Sequence, residues 1–212
     1  RSNKDLYTEE MYNSNYNSEN SYAKTYGKHR DFLEFDKVQY LDLKQYSEDL
    51  DIIFFSTPFD FESVEFLEQI NIPFYKIASA DITNTPLQEK IAETGKPVIL
   101  STGASKLEDV KRAHEVITKK NENLYILHCT ASYPAKIEDM NLNCIKTLIK
   151  TFPNNIIGLS DHENGIDAAS IAYMLGARIF EKHFTLNRSW KGTDQSFSLE
   201  PAGLKKLIRN LN

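Results

Sequence analysis

Residues 155–183 read NIIGLSDHENGIDAASIAYMLGARIFEKH. Two short apolar runs, 155–159 and 178–181, enclose a helical pattern over residues 166–175. Continuously apolar runs are typical of strands buried in a parallel sheet, and the intervening helix provides the crossover that parallel strands need. Both runs are closed by polar residues, which are Ser160, Asp161 and His162 in the first and Glu181, Lys182 and His183 in the second. The stretch predicts a strand–helix–strand unit with reactive side chains at its strand ends.

The same unit recurs along most of the chain. Strand-like runs occur at 52–55, 74–78, 97–100, 124–128, 155–159 and 178–181. Helical patterns follow at 61–70, 87–94, 106–118, 142–151, 166–175 and 204–211. Six such units fit either an open doubly wound sheet or an incomplete barrel. The doubly wound sheet should show a glycine-rich phosphate turn after its first strand, and Ser56-Thr57-Pro58-Phe59-Asp60 is not one.

Polar strand ends decide between the two architectures, because they recur in every unit. We therefore predict an α/β fold of the (β/α)8 TIM-barrel class that lacks its first two strands, with units three to eight in residues 35–212. Residues 1–34 differ from the rest, since 12–22 are rich in Asn, Ser and Tyr without an apolar period. That composition predicts a loop-rich, partly ordered segment.

Composition excludes several classes of protein. The 212 residues are 41% hydrophobic and 26% charged, which is typical of a globular protein. A formal net charge of −5 argues against nucleic acid or an anionic membrane as the main partner. No apolar run reaches the length of a membrane span, and Cys129 and Cys144 have no CxxC spacing. We expect a cytoplasmic protein that acts on small molecules.

The strand ends form the candidate site. They carry Ser56, Thr57, Lys76, Ser79, Ser101, Thr102, Cys129, Thr130, Ser160, Asp161, His162, Glu181, Lys182 and His183, with Tyr133 near the fourth strand. In a (β/α) barrel these ends converge on one mouth, where active sites are built. An apolar layer would pack better there, so six polar ends in succession favour a functional site over six separate structural residues.

His162 and His183 are the sharpest feature of this set, because they close successive strands. Residues two apart share a face of a strand, so Glu181 points the same way as His183, and Ser160 can do so with His162. Two imidazoles and a carboxylate can hold a divalent ion and leave positions open for water or substrate. Either histidine alone is more simply a hydrogen-bonded strand-end residue. The pair favours a metal site.

Lys76 lies within an apolar strand, where an unpaired charge is costly. It is either a cation for an anionic ligand such as phosphate, or a lysine that faces a helix and reaches solvent along its aliphatic stem. A central strand rarely offers that route to solvent, which favours the first reading. The hydroxyls that could join it around an anion are those of Thr57, Ser79, Ser101 and Ser160, although each alone is more simply a cap or turn residue.

Seven segments carry a family resemblance. They are Ser56-Thr57-Pro58-Phe59-Asp60, Lys76-Ile77-Ala78-Ser79, Gly95-Lys96-Pro97 leading to Leu100-Ser101-Thr102-Gly103, His128-Cys129-Thr130 followed by Ser132-Tyr133-Pro134, Ser160-Asp161-His162, Glu181-Lys182-His183-Phe184-Thr185-Leu186, and Ser198-Leu199-Glu200-Pro201. In this order and spacing they resemble the sialic acid synthases, with their legionaminic and pseudaminic acid relatives. The resemblance implies metal-dependent condensation of phosphoenolpyruvate with an N-acylated amino sugar similar to N-acetylmannosamine, which gives a nonulosonic (sialic) acid and phosphate.

The resemblance also implies roles for individual residues. His162 and His183 would hold a divalent metal, with Mn²⁺ expected first and Mg²⁺ or Co²⁺ as alternatives. The phosphoenolpyruvate ligands would be Thr57, Lys76, Ser79, Ser101 and Ser160. The sugar ligands would be Tyr133 and Asp194. Among the same residues, the candidates for catalytic groups are Glu181, Tyr133 and Lys76.

The chain departs from the family pattern at both ends. Family members begin with a strand carrying a catalytic glutamate and an Asn-His-Asn-Gly-like turn, then a second strand ending near Lys-Phe-Gln. Neither precedes Phe35, and the C-terminal antifreeze-like domain that supplies an arginine to a partner's site is missing too. Ala131 replaces a common Asn, and Gln195 stands where His often follows the aspartate. We expect a fragment, inactive alone, of a longer enzyme that forms a homodimer.

Two other functions stay open at this point. A TIM-barrel metal-dependent hydrolase would bind metal without needing phosphoenolpyruvate. Such sites usually draw on a His-x-His pair in the first strand, and none occurs here. A non-catalytic metal-binding barrel fragment would keep the imidazoles for shape or for a partner.

Overall fold

The computed structural model describes residues 1–212 and divides into two units, residues 1–76 and 77–212. The helices of the first unit are α1 (Asn3–Leu6), α2 (Glu9–Asn13), α3 (Tyr26–Phe32), α4 (Lys37–Asp49) and α5 (Phe61–Gln69). Three of them fall in residues 1–34. Asp36 and Asp60 cap the two longest, because each carboxylate accepts a hydrogen bond from the backbone N–H three residues further on.

The predicted strand at 52–55 is wrong. A single bridge between Ser56 and Tyr75 is the only pairing there, and Ile52 and Ile53 are 59% and 65% exposed. A strand persists when a neighbour takes its hydrogen bonds and covers its side chains, and this run has neither over its length. Helix α4 was missed because its apolar residues do not gather on one face; Val38, Leu41, Leu43 and Tyr46 are spread around the helix and exposed.

The sheet contains five strands, β1 (Tyr75–Ile77), β2 (Val98–Ser101), β3 (Leu124–Cys129), β4 (Ile156–Asp161) and β5 (Phe180–Lys182), which follow one another in chain order. Pairing is parallel from β2 to β5. The helices that follow these strands are α6 (Thr85–Ala92), α7 (Leu107–Thr118), α8 (Cys144–Thr151), α9 (Asp167–Met174) and α10 (Pro201–Leu211). This order never reverses, unlike that of a doubly wound sheet. The fold is therefore α/β with a parallel five-stranded sheet.

Apolar residues of strands and helices build the core of the second unit. Leu100, Ile126 and Leu159 in the strands have no exposed surface. Helix α7 turns Val110, Ala113 and Ile117 inward at the spacing of one helix face. Strand boundaries agree with the sequence prediction within a few residues for β1 to β5. None of the ten helices is both long and apolar enough to cross a membrane.

Candidate active site

The ends of β4 and β5 bring together the side chains that the sequence singled out. The strands pair Ser160 with Glu181, and Ser160 Oγ donates a hydrogen bond of 2.8 Å to Glu181 Oε1. Two residues further on, the rings of His162 and His183 lie with their centroids 5.2 Å apart. This confirms the prediction that Ser160 points the same way as His162, and Glu181 the same way as His183. We call His162 and His183 the imidazole pair.

Backbone contacts fix the orientation of His162. Its Nδ1 lies 2.8 Å from the carbonyl oxygen of Thr130, and the side chain is buried. A carbonyl only accepts, so Nδ1 carries a proton, and Nε2 is the nitrogen left for a metal ion. Burial lowers the pKa of His162, but hydrogen bonds with Cys129 and with the Thr130 carbonyl outweigh it, so the pKa lies above its ordinary value. A backbone carbonyl on one ring nitrogen is the usual partner of a metal-binding histidine.

His183 stands in a different electrostatic setting. Burial lowers its pKa below the ordinary value, and the neighbouring His162 adds to that effect, while Asp194 opposes it. Asp194 Oδ2 lies 3.8 Å from His183 Nδ1. The lowered pKa keeps the imidazole of His183 neutral at pH 7, the form that binds metal ions.

Two aromatic rings border the imidazole pair. The ring of Tyr133 lies 4.1 Å from that of His162 and 5.9 Å from that of His183. Phe197, which the sequence analysis did not identify, lies 5.1 Å from His183. Burial raises the pKa of Tyr133, and the negative charges of Cys129, Asp194 and Glu181 raise it further. Tyr133 therefore keeps its phenolic proton and remains a hydrogen-bond donor.

Ser79 lies just after β1, Ser101 closes β2, and Gly103 follows two residues later; we call these three residues the hydroxyl region. Ser79 Oγ accepts a hydrogen bond of 2.9 Å from the backbone N–H of Gly103. A Cβ on Gly103 would stand 2.8 Å from Ser79 Oγ and 2.9 Å from Cys129 Sγ. Ser101 is 2% exposed, and its Oγ has no hydrogen-bond partner. Buried hydroxyls are nearly always paired, so a ligand or water fits this position.

Cys129 connects the hydroxyl region with the imidazole pair. Its Sγ lies 3.9 Å from Nδ1 of His162. Burial raises the pKa of the thiol, but hydrogen bonds with His162, Ser79 and Ser160 lower it by more, so its pKa falls below the ordinary value. The side chains that the sequence placed at separate strand ends thus belong to one connected set of polar contacts.

Asp161 and Lys182 occupy the opposite face of the same strand ends. Lys182 Nζ lies 2.8 Å from Asp161 Oδ2, and the two side chains are only 6% and 3% exposed. The sequence analysis placed both residues at strand ends without giving them a role. Their contact needs the register of β4 on β5, which a single sequence does not show.

The donor set of the imidazole pair fits a divalent cation that takes its other ligands from substrate or water. His162 has its ring oriented through Nδ1, so a cation would compete with a proton for Nε2, and His183 is held neutral. Across residues 1–212, no group of three or more His, Cys, Asp and Glu side chains is arranged to hold a metal ion. The fit is that of an open site with two protein ligands.

Two predicted ligands of the anion belong to the first unit. Lys76 lies in β1 with 6% exposure. Thr57 is partly buried and lines a pocket of about 340 Å³ together with Tyr40, Ser56 and Lys37. The residues of the second unit that the structure brings together are Ser79, Tyr133, Ser160, His162, Glu181, His183 and Asp194.

These features define an α/β protein whose polar cluster lies at the carboxyl ends of parallel strands, the place where such folds build active sites. The family model described as the NeuB family matches residues 1–212, and the chain belongs to that family. This membership confirms the resemblance found in the sequence.

Three relatives illustrate the match. The chain is 41% identical to the N-acetylneuraminate-9-phosphate synthase of Homo sapiens over 196 residues, 92% of this chain and 55% of the relative. It is 41% identical to the N,N'-diacetyllegionaminic acid synthase of Campylobacter jejuni over 182 residues, 84% of this chain and 54% of the relative. The crystal structure of N-acetylneuraminic acid synthetase from Leptospira borgpetersenii aligns with a TM-score of 0.84 and 38% identity over 88% of this chain and 66% of that one. The chain spans about half the length of the curated relatives it matches.

Proposed function

We propose that the full-length protein condenses phosphoenolpyruvate with an N-acylated amino sugar and releases a nonulosonic acid and phosphate. One observation carries the proposal: the imidazole pair, 5.2 Å apart and bordered by Tyr133 and Asp194, closes two adjacent parallel strands. Support comes from relatives named as synthases of N-acetylneuraminate 9-phosphate and of N,N'-diacetyllegionaminic acid.

The imidazole pair would serve the sugar. A divalent cation held by His162 and His183, Mn²⁺ first and Mg²⁺ or Co²⁺ as alternatives, would polarise the sugar aldehyde as a Lewis acid. Asp194, a carboxylate beside His183, would accept a hydrogen bond from a sugar hydroxyl. Tyr133 retains its proton because of its raised pKa, so its phenol would donate a hydrogen bond where the two substrates meet.

Glu181 is suited to proton transfer. The methylene carbon of phosphoenolpyruvate forms a bond to the aldehyde carbon, and water then adds to the former enol carbon before phosphate departs. The carboxylate of Glu181 would take the proton of that water. In this structure the carboxylate is held by a hydrogen bond of 2.8 Å from the hydroxyl of Ser160. A positioned carboxylate near a reacting water is the usual arrangement for general base catalysis.

The hydroxyl region would serve the anionic substrate. The unpartnered Oγ of buried Ser101 and the hydroxyl of Ser79 offer donors to phosphate oxygens. Ser160 is proposed as a third ligand, which would turn its one proton from Glu181 Oε1 to the substrate. Lys76 and Thr57 of the first unit are proposed as further ligands of phosphoenolpyruvate, with Lys76 also a catalytic candidate. Neutral donors together with one lysine can hold an anion in a chain of net negative charge.

We also propose that the five strands belong to the later part of a (β/α)8 barrel, and that the full-length protein is a homodimer. Support for the barrel comes from the unreversed order of strands and from their polar carboxyl ends.

Phosphate release from phosphoenolpyruvate by the full-length protein tests the function. Purified protein is assayed with Mn²⁺ and N-acetylmannosamine, then with its 6-phosphate and other N-acyl sugars. We expect release that requires both sugar and metal and that disappears in His162→Ala and His183→Ala. His114→Ala is the matched control, because His114 lies on α7 and is hydrogen-bonded to Asn155 away from the site. Folded, metal-loaded protein that releases no phosphate with any sugar would rule the synthase function out.

A further inference from the structure

The buried ion pair of Asp161 and Lys182 surrounds the backbone of His162. Lys182 Nζ lies 2.8 Å from Asp161 Oδ2 and donates a second hydrogen bond, of 2.5 Å, to the carbonyl oxygen of Glu163. Asp161 Oδ1 in turn accepts a hydrogen bond of 2.8 Å from the N–H of Glu163. The residues before and after His162 are therefore both attached to one ammonium group that projects from β5.

The ion pair is also the last connection between β4 and β5. Their register ends at Asp161 opposite Lys182. Beyond it the strands take other partners, because the carbonyl of His162 accepts from the N–H of Ala135, and the carbonyl of His183 accepts from the N–H of Leu199. No backbone hydrogen bond therefore sets the separation of the two imidazoles. The connection nearest to them is the ion pair.

Stability alone does not account for this ion pair. Removing two charges from water costs several kcal/mol for each ion, and a well-packed apolar pair is often as stable or more so (about 1–4 kcal/mol). That cost applies to Asp161 and Lys182, because their side chains are only 3% and 6% exposed. An ion pair with additional hydrogen bonds does fix direction and distance, which an apolar contact does not.

We propose that Asp161 and Lys182 are positioning residues that set the spacing of the imidazole pair, whereas the Thr130 carbonyl orients the ring of His162. Neither touches substrate; they act through the backbone at 161–163 and 182–183. The consequence for catalysis rests on the proposed function. The consequence for metal binding concerns the two imidazoles alone.

The test uses the full-length protein with Asp161→Leu/Lys182→Met, which replaces the ion pair by an apolar pair. Free Mn²⁺ is measured by electron paramagnetic resonance during titration of metal into protein without substrate. The variant also leaves the N–H and C=O of buried Glu163 without these partners, so we expect the thermal midpoint to fall by about 2–8 °C. Mn²⁺ affinity and kcat should each fall by roughly 10- to 100-fold, the usual effect of losing groups that orient metal ligands. KM for phosphoenolpyruvate should change by less than about threefold.

A stability-matched control separates positioning from general damage. Ile117→Val removes a methylene group from the fully buried face of α7. It lowers the thermal midpoint without touching the strand ends, so its Mn²⁺ affinity should equal that of wild type. Equal Mn²⁺ affinity in the double variant and in wild type would overturn the proposal.

Two further measurements cover the remaining cases. Should the double variant fail to fold, Asp161→Asn keeps the shape and an acceptor oxygen but removes the charge, and wild-type Mn²⁺ affinity in that variant overturns the proposal. Should wild-type protein bind no Mn²⁺, crystal structures of wild type and variant decide, because the proposal requires displaced imidazole rings. A wild-type protein that binds Mn²⁺ but releases no phosphate would rule out the proposed function, and the metal-binding test of Asp161 and Lys182 would still apply.

Discussion

The imidazole pair and the hydroxyl region differ in the chemistry that each can perform. His162 and His183 have pKa values shifted in opposite directions, and carboxylates of Glu181 and Asp194 lie close to them. The hydroxyl region presents neutral groups, one of them the unpartnered Oγ of Ser101. The difference teaches that charged groups are concentrated at the β4 and β5 ends, whereas the ends near β2 carry neutral hydroxyls. On the proposed function, the first region would transfer protons and the second would hold the anionic substrate. Substitutions in the two regions should therefore affect different kinetic parameters.

The largest effect is expected at the imidazole pair. His162→Ala and His183→Ala should each lower kcat by roughly 100-fold or more, because each would remove one of the two proposed protein ligands of the metal ion. KM for phosphoenolpyruvate should change by less than about threefold. Steady-state kinetics of full-length protein at saturating Mn²⁺ measure both quantities. A variant of either histidine that loses affinity for phosphoenolpyruvate while keeping kcat would contradict the proposed separation of roles between the imidazole pair and the hydroxyl region.

Glu181→Gln tests whether the carboxylate at the end of β5 takes part in proton transfer. Glutamine keeps an acceptor oxygen for the hydroxyl of Ser160 but takes up no proton from water. We expect kcat to fall by about 100-fold, the lower range for a general base, with KM values nearly unchanged. Single-turnover phosphate release isolates the chemical step. Should Glu181→Gln keep wild-type kcat while Glu181→Ala does not, the carboxylate has only a structural role.

Much of the second unit was predictable from its apolar pattern. The run at 155–159 became β4 at Ile156–Asp161, and the helical pattern at 166–175 became α9 at Asp167–Met174. The run at 52–55 failed because apolar residues form a strand only where a neighbour pairs with them. The apolar residues of helix α4 do not gather on one face, so periodicity gave no sign of it.

The site was predictable where strand alternation alone determines geometry. Two-residue spacing placed Ser160 with His162 and Glu181 with His183, and the structure agrees. Phe197 could not be predicted, because it reaches His183 from a short 3₁₀ helix (Gln195–Phe197) whose position depends on tertiary packing. The contact of Asp161 with Lys182 depends on the register of β4 on β5. The hydrophobic pattern specifies which face of a strand is buried, but it does not identify which residues of two strands stand opposite each other.

Gly103→Ala is expected to impair the hydroxyl region alone. The new Cβ would stand 2.8 Å from Ser79 Oγ and 2.9 Å from Cys129 Sγ, so both side chains must move. Overpacking of this kind costs about 1–3 kcal/mol of folding stability. Displacement of the Ser79 hydroxyl, a proposed ligand, should separately raise KM for phosphoenolpyruvate by roughly 10-fold. Mn²⁺ affinity should stay at the wild-type value. Gly203→Ala in α10 is the control, since its Cβ meets Leu199 only at 3.3 Å and beyond. A Gly103→Ala enzyme with weakened Mn²⁺ binding and normal KM would contradict the assignment.

The smallest effect is expected for Ser101→Ala, where activity and stability should move in opposite directions. The Oγ of Ser101 is buried without a partner, so its removal should leave the thermal midpoint unchanged or raise it. If that hydroxyl donates to phosphoenolpyruvate, its loss removes one hydrogen bond and raises KM by about 3- to 10-fold. Thermal unfolding without ligand and steady-state kinetics give the two values.

Ser14→Ala provides the matched control for Ser101→Ala, because Ser14 is exposed in the first unit and its Oγ donates only to the carbonyl of Met11. It should leave KM unchanged. A Ser101→Ala enzyme with lowered stability and unchanged KM would show that the hydroxyl is structural. The unpartnered Oγ is the one feature of the hydroxyl region that folding alone does not explain. Opposite shifts in KM and thermal midpoint would therefore identify this region as the anion-binding half of the site.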